Sequence, residues 1–430
     1  MKPKLKNRFL FLTTSAHTNP AAGGRTRIVS EHRYALLDSY EVVILCLVPP
    51  RQWVRPLKCF RARHALQRDA RCRVYYWPAL PVFHCSWLKP ATTVIHALVV
   101  SLFGIALRIR GIHGHGQGAT AVGVLARRMG LHCWVVFDAH GVGPEEYAFS
   151  TSDPDRRMIA QLESEEKAVL QLADEVICVS RAMQEHYREK YEIKCEQWSV
   201  VPCATNEAAS WNVQDRARLR QQLKVEGRFV FVYAGSYRKY QMADEMVTLF
   251  EAIKQDLSEA YFLILTGDRD RFARVASARG LAVDDYSIFS LSHEQVLQTL
   301  PVADVGFLLR ADSPVNRVAS PTKFAEYCIC GVPVLLTPYV GDYSRVVDNE
   351  MIGCCLEGLH VSPKLVTFLK DVHEHREAFA VRCHNYAKQH LSWASAGAVV
   401  RRIYERLNAV PSGPGRSKKL VHQKVSFVAD

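Results

Sequence analysis

The residues best arranged for chemistry lie between Ser320 and Tyr327, in the run Ser320-Pro321-Thr322-Lys323-Phe324-Ala325-Glu326-Tyr327. Ser320 suits a helix N-cap and Pro321 the first helical position. A helix starting here has free N–H groups and the positive end of its dipole in its first turn, a cradle for a diphosphate. Thr322 lies in that turn, and Lys323 adds a full positive charge there. Glu326 follows three residues on, one turn deeper on the same face, where a carboxylate accepts both hydroxyl hydrogens of a ribose. Gly331 ends the helix before a buried strand at 332–336. Read without context, the same residues also describe an ordinary helix start with a Lys323–Glu326 surface ion pair.

A second group lies in the N-terminal half. Gly23-Gly24 follows the first strand and precedes a helical pattern, and glycines there let backbone approach a phosphate or sugar; an ordinary tight turn is the plainer reading. Arg25 and Arg27 add charge nearby or are simply solvated. His140 follows the strand expected at 133–137, an end where α/β sheets gather catalytic groups. Asp138 is expected on the opposite side of the chain from His140. Glu145 and Glu146 come next, able to bind acceptor hydroxyls or accept a proton, or to lie in a hydrated loop. His113 and His115 lack further close-spaced His or Cys to complete a metal site. Asp268-Arg269-Asp270 reads as a turn and helix cap. No catalytic metal is expected.

These residues need elements to hold them. Short apolar runs alternate with longer helical patterns, the signature of α/β domains with parallel sheets. Strands are expected at 8–13, 41–46, 74–77, 111–113, 133–137 and 175–179, with helices including 119–129 and 157–173. A second series begins at Phe229 and continues with strands at 261–265, 286–289, 305–309 and 332–336. The polar stretch between marks the domain boundary. The chain thus reads as an N-terminal Rossmann-like domain over 1–205, a linker over 206–226 and a C-terminal Rossmann-like domain over 227–390. A C-terminal helix over 391–408, returning to the first domain, and a flexible basic tail over 409–430 complete it. Two such doubly wound domains face a central cleft at the carboxyl ends of their strands.

At 430 residues the chain exceeds the usual single-core size, and 48% hydrophobic content supplies two cores. The formal charge of +12 points to phosphate-bearing partners: nucleotide substrates, lipid headgroups or nucleic acid. The basic residues are dispersed and no recognition motif appears, which disfavours nucleic acid. Thirteen cysteines without a C-x-x-C pair fit reduced, buried thiols in a cytosolic protein. The apolar run 91–107 reads as a buried or interfacial helix, at the lower limit for spanning a bilayer. The basic, aromatic-laced stretch 51–73 suits an anionic membrane surface or a solvated loop equally.

The Ser320–Tyr327 segment resembles the C-terminal half of glycosyltransferase family 4, the retaining "group 1" enzymes of the GT-B fold, and within it bacterial members with the motif S-P-T-K-x-x-E-Y. The likeness extends through Gly23-Gly24, Phe137-Asp138-Ala139-His140-Gly141, Val176–Ser180, Val201-Pro202-Cys203, Tyr233–Ser236, Leu265–Asp268 and Ser392-Trp393. It implies a nucleotide-diphosphate sugar bound mainly by the C-terminal domain, no cofactor, and transfer with retention to a glycan or lipid-linked acceptor in cell-surface polysaccharide biosynthesis. The setting it suggests is cytoplasmic, peripheral at the inner face of the cell membrane. Ser320, Pro321, Thr322, Lys323 and Glu326 become donor contacts with Gly24 and Gly235, Lys323 also acting in catalysis. His140 is implied to contact the reacting sugar or acceptor, with Gly23 and Glu145 on the acceptor side. Glu326 matches the second glutamate of the family's E-x7-E motif, but the first falls at Val318. Where many members carry Arg and Lys after the glycine matching Gly235, this chain has Ser236 and Gln241, leaving Arg238 or Lys239 to serve the phosphates. Two alternatives stay open: a nucleotide-sugar epimerase on the same fold, and a non-catalytic partner in a polysaccharide assembly complex.

Overall fold

Apolar runs that recur along the sequence become parallel strands, and those inside each sheet are buried on both faces, as sheets covered by helices require. The computed structural model describes residues 6–17, 23–80, 89–193, 198–206 and 213–409. The described residues up to 202, with 396–409, form one unit, and those from 203 to 395 form the other. Residues 410–430, where the sequence suggests a basic tail, lie outside the described residues.

The first unit holds β1 (Arg8–Thr13), β2 (Glu41–Val48), β3 (Arg73–Pro78), β4 (Gly111–His115), β5 (Trp134–Ala139), β6 (Glu175–Cys178) and β7 (Trp198–Val200). Their order is β3-β2-β1-β4-β5-β6-β7, all parallel. The chain moves outward from β1 to β3, then returns through the helix Lys89–Leu107 to lay β4 beside β1. That reversal is a topological switch point, where open α/β sheets hold their ligands. His113 and His115 come from β4, and His115 lies in register with Asp138 of β5.

The second unit repeats the design with β8 (Phe229–Ala234), β9 (Ala260–Leu265), β10 (Tyr286–Phe289), β11 (Val305–Leu308), β12 (Val334–Leu336) and β13 (Gly353–Cys355). The order β10-β9-β8-β11-β12-β13 puts its switch point between β8 and β11. Gly235 follows β8, and Arg310 follows β11 by two residues.

The stretch expected as a linker over 206–226 instead carries a helix, Val213–Gln222, built into the second unit. Its Arg220 donates to the Val302 carbonyl at 2.8 Å and to Asp304 at 3.1 Å, and Asp304 also takes Arg216 and the Val230 amide. The low periodicity that suggests a linker reflects a helix held by ion pairs rather than by an apolar face.

The C-terminal helix Trp393–Ala409 passes from one unit to the other along its length. Its Tyr404 ring packs on Phe9 (centroids 4.5 Å) and Tyr40, and its hydroxyl lies 2.8 Å from His113 Nδ1. The helix Lys89–Leu107 is long and apolar enough to cross a membrane, and is partly buried. It turns Val100, Ala97 and His96 inward while Val94, Ile95, Leu98, Leu102 and Ile105 are exposed. At 100° per residue those five, with exposed Ala91 and Ala106, fall on one face that is wholly apolar.

Candidate functional site

In the second unit the helix opened by the S-P-T-K motif runs from Thr322 to Ile329, with Pro321 rather than Ser320 at the N-cap position. The Ser320 hydroxyl does not cap. It accepts from the Cys203 amide at 3.0 Å and bonds the Tyr343 hydroxyl at 2.8 Å, fixing the backbone that leads into the helix. The first-turn N–H groups therefore have no side-chain cap. Gly341 supports the same loop: its φ is +48°, and a Cβ there would sit 2.1 Å from the Ala319 carbonyl oxygen.

Lys323 turns inward. Its Nζ donates to Gln241 Oε1, lies 3.4 Å from the Tyr233 hydroxyl and 4.6 Å from the centre of that ring. Gly235 has φ +156°, a conformation that favours glycine, and a Cβ there would press on the end of the Lys323 side chain. Burial, with Arg310 beside it, holds the Lys323 ammonium well below the usual lysine range. The expected Lys323–Glu326 ion pair does not form; Glu326 Oε1 sits 2.7 Å from His293 Nε2, a partner on another helix. That carboxylate raises the His293 pKa through its hydrogen bond.

Sequence reasoning missed Arg310. Its backbone is pinned at the end of β11 by Thr337, whose Oγ1 accepts from the Arg310 amide at 2.9 Å and donates to its carbonyl at 2.7 Å. The guanidinium is 8% exposed, stacks 5.1 Å from the Tyr240 ring, and leaves Nε and Nη1 without a hydrogen-bond acceptor. Its position at the end of a strand beside the switch point is the one signal that could have found it. Arg238 and Lys239, expected to serve phosphates, are exposed, and the cation that reaches Lys323 is Arg310. Gln241 is buried as a partner of Lys323. Val318 is buried at 3% exposure, so its position offers an apolar contact where the family motif has a carboxylate.

In the first unit Gly23 and Gly24 form the first turn of the helix Gly23–Glu31. A Cβ on Gly24 would lie 3.7 Å from His140 Nδ1, so these two predicted residues are neighbours, while Gly23 has open space around it. Asp138 does not project away from His140. Positions two apart on an extended chain share a face, and His140 Nε2 lies 2.9 Å from Asp138 Oδ2. Both Asp138 oxygens are gripped at 2.7 Å by Arg27, which also lies 3.0 Å from Glu31. Arg27 is thus a buried structural cation rather than a solvated one, and Arg25 pairs with Asp69.

Burial opposes ionisation of Asp138, but Arg27 and His140 outweigh it and hold its pKa well below the carboxylate range. Burial and the adjacent Asp138 push Glu31 well above that range. The pair therefore divides its roles, with Asp138 ionised and Glu31 protonated. An ionised Asp138 only accepts hydrogen bonds, so His140 Nε2 carries the proton between them. His17, buried beside His140 and Arg25, is lowered to about 4 and stays neutral.

Glu145 is not free on the acceptor side. It lies in the helix Gly143–Ser150, not in a loop, with Oε1 3.0 Å from His186 and 2.7 Å from Lys190. Burial alone would raise its pKa, yet these two partners bring it to about 2. Glu146 is the member that faces His140, packed on Gly141 and raised by burial. Glu166, missed from sequence, braces the same turn: burial raises it to about 7, and it accepts from the Gly143 amide at 3.2 Å and the Tyr191 hydroxyl at 2.7 Å.

Among the described residues, one side-chain set could hold a metal ion. Glu31, His113, His115 and Asp138 bring ligand atoms within 4.8 Å of one another, completing a cluster that close spacing in sequence does not reveal. The cation already at its centre is Arg27, which a metal ion would have to displace from Asp138. Asp268 occupies the N-cap position of the helix Arg269–Ala278, but its carboxylate accepts from the Tyr237 amide at 2.7 Å instead of capping.

Comparison with known proteins fits this geometry. Residues 22–208 match the model of Glycosyltransferase Family 4, and residues 215–389 match that of Glycosyl transferases group 1. No curated protein sequence matches significantly. Among solved structures, Anabaena Alr3699/HepE in complex with UDP is similar at a TM-score of 0.69 and 16% identity, covering 94% of this chain and 100% of that one. Sucrose-phosphate synthase from Thermosynechococcus elongatus is similar at 0.69 and 17%, covering 94% and 100%. WaaG, a glycosyltransferase involved in lipopolysaccharide biosynthesis, follows at 0.61 and 13%, covering 94% and 100%. With both family models in chain order and two parallel α/β Rossmann-like domains beneath them, the chain is a glycosyltransferase of the GT-B fold.

Proposed function

We propose that this glycosyltransferase moves a sugar, with retention of anomeric configuration, from a nucleoside-diphosphate sugar to a glycan or lipid-linked acceptor in cell-surface polysaccharide biosynthesis. The observation that carries the donor class is the buried pair Lys323 and Arg310, cations with mostly neutral partners beside a helix start. A diphosphate supplies the missing negative charge, and the same fixed field stabilises it as it leaves. No catalytic metal is then required, and the departing phosphate oxygen takes the acceptor's proton. Glu326 receives the ribose, and His140 meets the reacting sugar or the acceptor. The complexes of HepE with UDP and UDP-glucose support this donor class, and the role of WaaG supports the polysaccharide setting.

We place the enzyme in the cytoplasm, resting on the inner face of the membrane. The support is the exposed apolar face of the helix Lys89–Leu107, beside a chain of formal charge +12. The test is transfer by purified protein with a panel of nucleotide sugars and product anomer read by NMR. Glu326→Ala raises the donor KM strongly, and Lys323→Ala lowers turnover about 100-fold, the scale of one lost charged contact at the leaving group. Wild-type transfer by both variants, or an inverted product, would overturn the reading; an epimerised donor without acceptor would replace it.

A further inference from the structure

A pocket of about 780 Å³ opens in the first unit between the helix Gly23–Glu31 and the helix Pro56–Ala70. Among its lining residues are five cations, Arg25, Arg55, Lys58, Arg61 and Arg68, and a single carboxylate, Asp69. Positions 55, 58, 61, 65, 68 and 69 recur at three or four residues, so one face of the helix and the residue preceding it supply them all. The carboxylate is already spent. Arg25, 4% exposed, donates to Asp69 Oδ2, and its other arm holds the His17 carbonyl at 3.2 Å. Arg55, Lys58 and Arg61 are exposed and have no ion pair among the described residues. The pocket therefore carries a concentrated positive charge that the surrounding protein does not neutralise.

The same helix region presents grease beside the charge. Val54, Leu57 and Phe60 are 78%, 73% and 57% exposed, and Leu57 lines the pocket itself. A ligand that satisfies both features is an amphiphile with an anionic head. The pocket also adjoins the His140 site. Arg25 follows Gly24, which packs against His140 Nδ1, and the His17 held by Arg25 lies in the field of His140. The first turn of one helix thus separates the cationic pocket from the group that meets the reacting sugar or acceptor.

We infer that this pocket is a subsite for the phosphate or diphosphate of the acceptor, which is therefore a sugar carried on a phosphate-linked lipid. The inference rests on the glycosyl-transfer reading and narrows its acceptor. Exposed cations act through a screened field, so binding weakens as salt rises.

The test uses the full chain and the triple variant Arg55→Ala/Lys58→Ala/Arg61→Ala, whose side chains are exposed and outside the core. The probes are a short isoprenyl diphosphate below its micelle concentration, the matching uncharged isoprenol, and vesicles of phosphatidylcholine with and without phosphatidylglycerol. The expected result is salt-sensitive binding of the diphosphate, absent for the alcohol, and weakened about tenfold or more by the triple variant, a change of ~1.4 kcal/mol. Binding of the diphosphate within twofold of wild type by the triple variant overturns the inference. So does loss of vesicle binding alone, which would assign the charges to the membrane surface. Affinity for a nucleoside diphosphate, measured on the same samples, reports whether the variant is folded. Because these readouts need no turnover, an absence of sugar transfer by the wild type would sink the glycosyl-transfer reading without deciding the pocket.

Discussion

Both units bury charge at their switch points, and they balance it in opposite ways. In the first, Asp138 and Glu31 meet one guanidinium, Arg27, leaving an excess of negative charge that a proton on Glu31 removes. In the second, Lys323 and Arg310 lie near each other while Glu326 is engaged by His293, leaving an excess of positive charge. Among the described residues no carboxylate hydrogen-bonds either cation, although Glu326 lies within the field of Lys323. A self-compensated cluster costs stability when it is broken, whereas an uncompensated one holds free energy that a ligand releases. The first braces His140; the second is the cluster assigned above, as a proposal, to the anionic donor.

The contrast is broken most severely at Asp138. Asp138→Asn leaves Arg27 buried without its counter-ion and is expected to cost about 3–5 kcal/mol of stability by denaturant unfolding. The double variant Arg27→Met/Asp138→Leu should recover most of that loss; if it does not, the pair is not the source. Arg310→Met should act in the reverse sense. Affinity for a nucleoside diphosphate falls by about 10–100-fold, the scale of a charged hydrogen bond, while the melting temperature holds or rises because a poorly satisfied buried cation has gone. Calorimetric titration and thermal melting separate the two effects, and a large loss of stability would place Arg310 in the scaffold class.

The smallest effect sharpens the same comparison. If Glu31 carries a proton, Glu31→Gln replaces one neutral group by another and should change stability by less than about 1 kcal/mol at acid pH, where the unfolded glutamate is also protonated, and should stabilise the protein at neutral pH. The sign with pH follows from the raised pKa. Because the folded state binds the proton more tightly, Glu31 adds stability below its unfolded value that is lost as pH rises through its folded one. The Gln variant should therefore lose less stability than the wild type as pH rises above the ordinary glutamate range. Equal slopes for the two proteins there would show that Glu31 is ionised in the folded protein.

The sequence made the strands legible because buried parallel strands are short apolar runs, and 286–289 is delimited by its residues alone. It made β7 and β13 illegible because Trp198-Ser199-Val200 and Gly353-Cys354-Cys355 are not continuous aliphatic runs, unlike the equally short β12, Val334-Leu335-Leu336. The helix opened by the S-P-T-K motif was recognisable from Ser320 to Glu326, yet Ser320 bonds Cys203 and Tyr343 instead of capping, partners 117 and 23 positions away that no local pattern reveals. Arg27 and Asp138 stand 111 positions apart, and no local pattern announces that a solvated-looking arginine is the counter-ion of a strand-end aspartate. Arg310 looks like any arginine after a strand; only its depth, with two N–H groups lacking acceptors, singles it out. Glu145 and Glu146 were indistinguishable as neighbours, and helix phase alone sends one to Lys190 and the other toward His140.

The path of the last helix has a consequence for biogenesis. Phe9 and His113 are made before the middle of the chain, yet their contact Tyr404 is made after it. The unit begun first is therefore completed only after 203–395, a compact unit of its own, has been synthesised. Nascent chains stalled short of Trp393 should present a protease-resistant middle and a cleavable beginning, the reverse of the order in which they were synthesised.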